Sequence, residues 1–188
     1  MHFTTIAAAL LSTSLAAALP ADANALERRA CSVQYPTNVF QILEDDPTHN
    51  TGNHGYVYTS QEAGPSHRWV TELQFTGVPA DAHGCSVEFF FAQGYRLLTT
   101  SGNARLNFYT VDRNISVEHD TWENHPGKVS LVGTQLVTLN QNADTKLTAV
   151  TGSCSETMNY IVEVEGVGAG SVGFFDSEPS GLRLTYNC

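Results

Sequence analysis

Positive charge is the scarcest resource of this 188-residue chain, which sets nine Lys and Arg against nineteen Asp and Glu for a formal net charge of −10. A surface of that sign repels phosphate backbones and anionic headgroups, which argues against nucleic acid and membrane surfaces as partners. Long apolar runs are missing as well. A bilayer-crossing helix needs about 20 apolar residues, and after the first thirty positions no stretch approaches that length. No Gly-x-Ser-x-Gly, His-Glu-x-x-His or His-x-His occurs, and the glycine-rich Gly166–Gly173 lacks the Lys of a phosphate-binding loop. Nor does any window of a dozen residues carry a helical apolar stripe; Gln41–Asp46 has the pattern of one helical turn at most.

What is present begins with a leader. Ile6–Leu11 is a short apolar run, followed through Ser12–Ser14 by the small residues Ala16–Ala18. A run this short, closed by small residues, reads as a secretory signal peptide over residues 1–18. Residues 19–29 then form a propeptide ending in the dibasic pair Arg28 and Arg29, a processing site for a secretory-pathway endoprotease. The mature domain is expected to span 30–188, to leave the cell, and to hold seven basic against seventeen acidic residues. Its length suits one domain able to bury about 70% of its extended surface.

All four cysteines, Cys31, Cys85, Cys154 and Cys188, fall in that mature part. Their even number in an exported chain predicts two disulfides, and the absence of a Cys-x-x-Cys pair argues against a metal site.

The remaining pattern is strand after strand. Arg68–Phe75 alternates Trp69, Thr71, Leu73 and Phe75 against Val70, Glu72 and Gln74. Met158–Glu165 sets Met158, Tyr160, Val162 and Val164 against Asn159, Ile161, Glu163 and Glu165, and Gly181–Cys188 turns Leu182, Leu184 and Tyr186 inward. Period-two alternation of this kind marks half-buried antiparallel strands. Cys85–Phe91, Arg105–Val111, Val129–Thr138, Lys146–Val150 and Ser171–Phe175 add further strands, separated by turn signals at Gly77–Pro79, Gly166–Gly170 and Pro179–Gly181. Glu44–Gly55 reads as a surface loop. Eight or so strands predict an all-β fold, an antiparallel two-sheet β-sandwich resembling a jelly roll.

If the last three strands form a meander, Cys154 and Cys188 sit at opposite ends of a sheet. Eight residues at about 3.3 Å each separate them by some 25 Å, whereas bridged Cα atoms lie within about 7 Å. Cys154–Cys188 is therefore excluded. Cys31–Cys154 with Cys85–Cys188, or Cys31–Cys188 with Cys85–Cys154, remain.

The leader, the dibasic pair, the early cysteine, and the stretches FTGVPADAHGC (75–85), TTSGNARLNFYTVD (99–112) and GSVGFFDSEPSGLRLTYNC (170–188) together resemble a family of small exported fungal proteins. That family carries the label of the C-terminal domain of the But-two ubiquitin-like-binding protein. The resemblance covers Cys31 to Cys188 and implies fold and compartment; it brings no catalytic residues and no mechanism.

Candidate chemistry is thin. Glu72, Glu88, Glu163 and Glu165 lie on strands, and paired strand carboxylates are a glycosidase device; the same residues read as a solvated outer face. Glu44, Asp45 and Asp46 beside His49 offer hard oxygens without a calcium-loop spacing. His119 and His125 flank Trp122 and Glu123 in a polar loop. Trp69, Trp122, Tyr56, Tyr58, Tyr95 and Tyr109 are the rings available to a sugar face, with Trp69 expected in the core and Trp122 expected exposed. Asn114-Ile115-Ser116 is the one N-glycosylation sequon.

The resulting expectation is a secreted, monomeric, non-enzymatic module without catalytic, cofactor or metal residues, associated with the cell wall or with an extracellular glycan or protein. A small polysaccharide hydrolase or lyase using strand carboxylates is the alternative, and a protein-binding effector or inhibitor the third reading.

Overall fold

A computed structural model describes residues 31–188; the leader and the Arg28-Arg29 site lie outside the described residues. Twelve strands and no helix occur among them. β1 is Ser32–Gln34, β2 Asn38–Leu43, β3 Tyr56–Glu62, β4 Ser66–Thr76, β5 Cys85–Phe91 and β6 Thr99–Gly102. β7 is Arg105–Val111, β8 Lys128–Leu136, β9 Thr145–Gly152, β10 Thr157–Val164, β11 Gly170–Phe175 and β12 Gly181–Tyr186.

All pairings are antiparallel, and they build two sheets. The smaller runs β1-β12-β5-β9; the larger runs β6-β11-β3-β4-β10-β7-β8, with β2 also paired to β4. Between them lies the main core. Leu73 and Phe75 of β4, Val162 and Val164 of β10, and Leu182 and Leu184 of β12 are buried in it, on the sides that their alternation assigns. At its centre Phe89 meets Phe108 and Phe174 edge-on, with centroids 5.9 and 5.8 Å apart. Such arrangements align the positive ring edge with a neighbour's negative face.

A second, smaller core lies on another side of the large sheet. Phe40, Ile42, Val70, Ile115 and Ile161 form it, with Val111, Val117 and Trp122 packed against it. Here the segment between β7 and β8, residues 112–127, crosses the strands as a strap. Val70, Glu72 and Gln74 are consequently buried, although alternation assigns them to a solvated face.

Two disulfides, Cys31–Cys188 and Cys85–Cys154, staple the domain. The exclusion of Cys154–Cys188 stands, but the meander behind it does not. β12 belongs to the smaller sheet, while β10 and β11 lie in the larger one with β3 and β4 between them. The Gly166–Ala169 connection is therefore a crossover and not a hairpin, held by Gln61 Nε2 donating to the Gly166 and Gly168 carbonyls at 2.9 and 2.8 Å. Gln41–Asp46 is no helical turn either. Its first half belongs to β2, whose residues pair with β4 from Asn38↔Gln74 to Leu43↔Trp69.

Candidate functional site

Along β3 burial alternates: Val57, Thr59 and Gln61 point into the protein, while Tyr56, Tyr58, Ser60 and Glu62 stay accessible. In the antiparallel ladder, directly opposed residues share a face. Phe175, Gly173 and Ser171 of β11 oppose Tyr56, Tyr58 and Ser60, and Thr99 and Ser101 of β6 oppose Gly173 and Ser171. Trp69 of β4 opposes Ser60. The accessible side thus carries four rings and a carpet of small hydroxyl side chains.

The rings run as a connected row. Phe175 and Tyr56 have centroids 4.9 Å apart, Tyr56 and Tyr58 lie nearly parallel at 6.2 Å, and Tyr58 meets Trp69 edge-on at 5.3 Å. Gly173 lies beneath them. A Cβ there would stand 2.7 Å from the Tyr56 hydroxyl and 2.8 Å from Thr99 Oγ1, so only glycine leaves room for the tyrosines to lie over the strand. Phe175 is 52% and Trp69 38% exposed. At the Tyr58–Trp69 end of the row lies a trough of about 400 Å³ lined by these two rings, by Ser60, Ser101, Ser171 and Glu62, and by His67 and Asp45. His67 Nδ1 lies 2.8 and 2.9 Å from the two Asp45 carboxylate oxygens, and that hydrogen bond raises the imidazole pKa.

Both tryptophans depart from expectation. Trp69 pairs opposite Ser60 on the accessible side of β3 and is 38% exposed there. Trp122 is half-buried against the strap's core, with the Arg68 guanidinium 4.6 Å above its ring. The other rings serve structure: Tyr95 stacks on Phe91 and exchanges hydrogen bonds with the Phe175 backbone, and Tyr109 lies under the Lys128 ammonium.

The four strand carboxylates do not converge. Glu72 is fully buried beneath the strap beside Asp120, whose Oδ1 lies 2.9 Å from Arg113 and whose Oδ2 accepts the Ser116 N–H. Burial first, and then the Asp120 charge, push the Glu72 pKa up to about 9. Glu88 sits on the smaller sheet between Arg183 and Lys146. Glu163 holds Lys128 at 2.8 Å, and Glu165 holds Arg105 at 3.2 Å.

Glu44 grips the Arg68 guanidinium with both oxygens, and the hydrogen bond lowers its pKa. Asp45 takes His67, and Asp46 lies 3.9 Å from His49. His125 faces Trp122, while His119 is exposed. Among the described residues no three His, Cys, Asp or Glu side chains are gathered as a metal would require. Asn114 is exposed on the strap, its Oδ1 accepting a hydrogen bond from Asn159 Nδ2 at 2.8 Å.

One acid carries no signal in the sequence. Asp176 lines a groove of about 370 Å³ with His54, and burial pushes its pKa up to about 7. Its Oδ1 accepts the Leu182 N–H at 2.9 Å, which fixes the turn before β12.

No helix among the described residues is long and apolar enough to cross a membrane. No curated protein matches the sequence. A family model, the ubiquitin 3 binding protein But2 C-terminal domain, matches residues 34–179, which takes in all but the two ends of the sandwich. The chain belongs to the But2 C-terminal domain family.

Proposed function

We propose that this chain is an exported, glycan-binding module that holds a saccharide in the trough at Tyr58 and Trp69, the end of a ring row that continues through Tyr56 to Phe175. The carrying observation is the ring row next to a hydroxyl-lined floor. Sugar rings have apolar C–H faces that pack on aromatic surface and hydroxyl edges that hydrogen-bond to small polar side chains. A pocket combining apolar walls with a few polar groups is the general form of a small-molecule site. Cell-wall association, secretion after cleavage at Arg28-Arg29, and a glycan on Asn114 belong to the same reading. It is supported by the leader, by two disulfides typical of oxidising compartments, and by the exposure of the Asn114 side chain.

Affinity electrophoresis through gels containing chitin, β-glucan or cellulose tests the reading. Wild type is retarded by at least one, and the Tyr58→Ala/Trp69→Ala double variant migrates freely. Equal mobility of the two proteins in every gel removes the proposal.

A second reading is protein binding, which the family description names for the protein from which the domain takes its label. Here it is favoured by β8, at the end of the large sheet, where Val129 and Leu131 are 63% and 54% exposed. Calorimetric titration with ubiquitin, repeated with Val129→Ser/Leu131→Ser, checks it; heat lost in the double variant supports it, and no heat with wild type ends it.

A further inference from the structure

We infer that the trough selects amine-bearing glycans, polymers of glucosamine type, over neutral and acidic ones. The inference rests on the glycan-binding reading and adds the substrate class.

The argument starts from charge. Of the seven Lys and Arg side chains between residues 31 and 188, six are already in ion pairs with carboxylates: Arg68, Arg105, Arg113, Lys128, Lys146 and Arg183. No Lys or Arg lines the trough. Two carboxylates do. Asp45 is matched by His67, while Glu62 is exposed and enters no ion pair among the described residues. The trough therefore keeps net negative charge whether or not His67 is protonated. That net charge disfavours an acidic sugar.

The rings point the same way. An ammonium group within about 6 Å of an aromatic face is attracted by the ring quadrupole. Tyr58 and Trp69 line the trough together with Glu62, so aromatic surface and an unpaired carboxylate are offered to one bound chain. A glycan that repeats an ammonium along its length matches both; a neutral glycan matches only the ring faces and hydroxyls.

Calorimetric titration of the intact domain with four probes separates the outcomes. They are the hexamers of glucosamine, N-acetylglucosamine and β-linked glucose, and hexalysine. The glucosamine hexamer is expected to bind about tenfold more tightly than its acetylated counterpart, the scale of one cation–π or ion-pair contact. That advantage is expected to shrink with added salt. Glu62→Gln is expected to bring the glucosamine hexamer down to the affinity of its acetylated counterpart, whereas Trp69→Ala weakens both hexamers and keeps their ratio; Glu62 is exposed, and thermal melting verifies that the variant folds. Equal, Trp69-dependent affinity for the three saccharides overturns the amine preference and leaves glycan binding standing. No binding of any saccharide overturns both. Hexalysine held as tightly as the glucosamine hexamer and insensitive to Trp69→Ala reduces the effect to bulk charge and overturns it too.

Discussion

The large sheet offers two surfaces of similar alternating sequence, and they meet different ends. Around β2, β4 and β10, the strap of residues 112–127 folds back over Phe40, Ile42, Val70 and Ile161 and seals a second core. Around β11, β3 and the start of β4, no described segment returns, and Phe175 and Trp69 stay open to water. What separates a core from an open surface is thus the path of a distant loop. The rows themselves do not declare it.

The comparison is broken most forcefully from the covered side. Ile161→Ala deletes a fully packed side chain under the strap and should cost about 2–5 kcal/mol in denaturant unfolding while sparing glycan retention. On the open side the effect reverses. Trp69→Ala should lower affinity about thirtyfold, the scale of an aromatic hot spot, for no more than about 2 kcal/mol of stability. Gly173→Ala should disturb both properties moderately, about 1–3 kcal/mol, because the new methyl displaces the tyrosine rings.

A subtler difference lies in pH. The Glu72 carboxyl has its folded pKa raised from 4.5 to about 9, so its contribution to stability is complete below about pH 4.5 and is lost as pH rises through about 9. The melting temperature should therefore drift down by a few degrees across that window, and Glu72→Gln should flatten the drift. Asp176, raised from 3.8 to about 7, adds the same sign of dependence between those values, removable by Asp176→Asn. A rise in stability with pH over this range in wild type contradicts both assignments.

Much of the fold was legible because β10, β12 and the second half of β4 send every second residue into the main core, and that pattern has one physical cause. β2 was not, since Val39–Leu43 is buried on both faces, and so short a run, broken only by Gln41, does not distinguish a strand from a helical turn. β3 and β6 were not assigned, being rich in Ser, Thr, Gln and Glu, of which Ser60, Glu62 and Ser101 here line the trough. The disulfide exclusion held on a wrong topology, because placing β12 in the other sheet also keeps Cys154 and Cys188 unbonded. The site was legible only as an inventory of rings. Trp69 and Trp122 exchanged their expected places, Trp69 through its pairing opposite Ser60 of β3 and Trp122 through the strap, two long-range features without a local signature.

The Cys31–Cys188 bond has a mechanical meaning. It joins the strand-bearing domain's two ends, whose Cα atoms lie 4.3 Å apart, into a covalent ring. Tension applied at those ends runs through sulfur and bypasses the hydrogen-bonded ladders. A domain closed in this way transmits load between its ends as an inextensible link, and the strands that carry the ring row bear none of it.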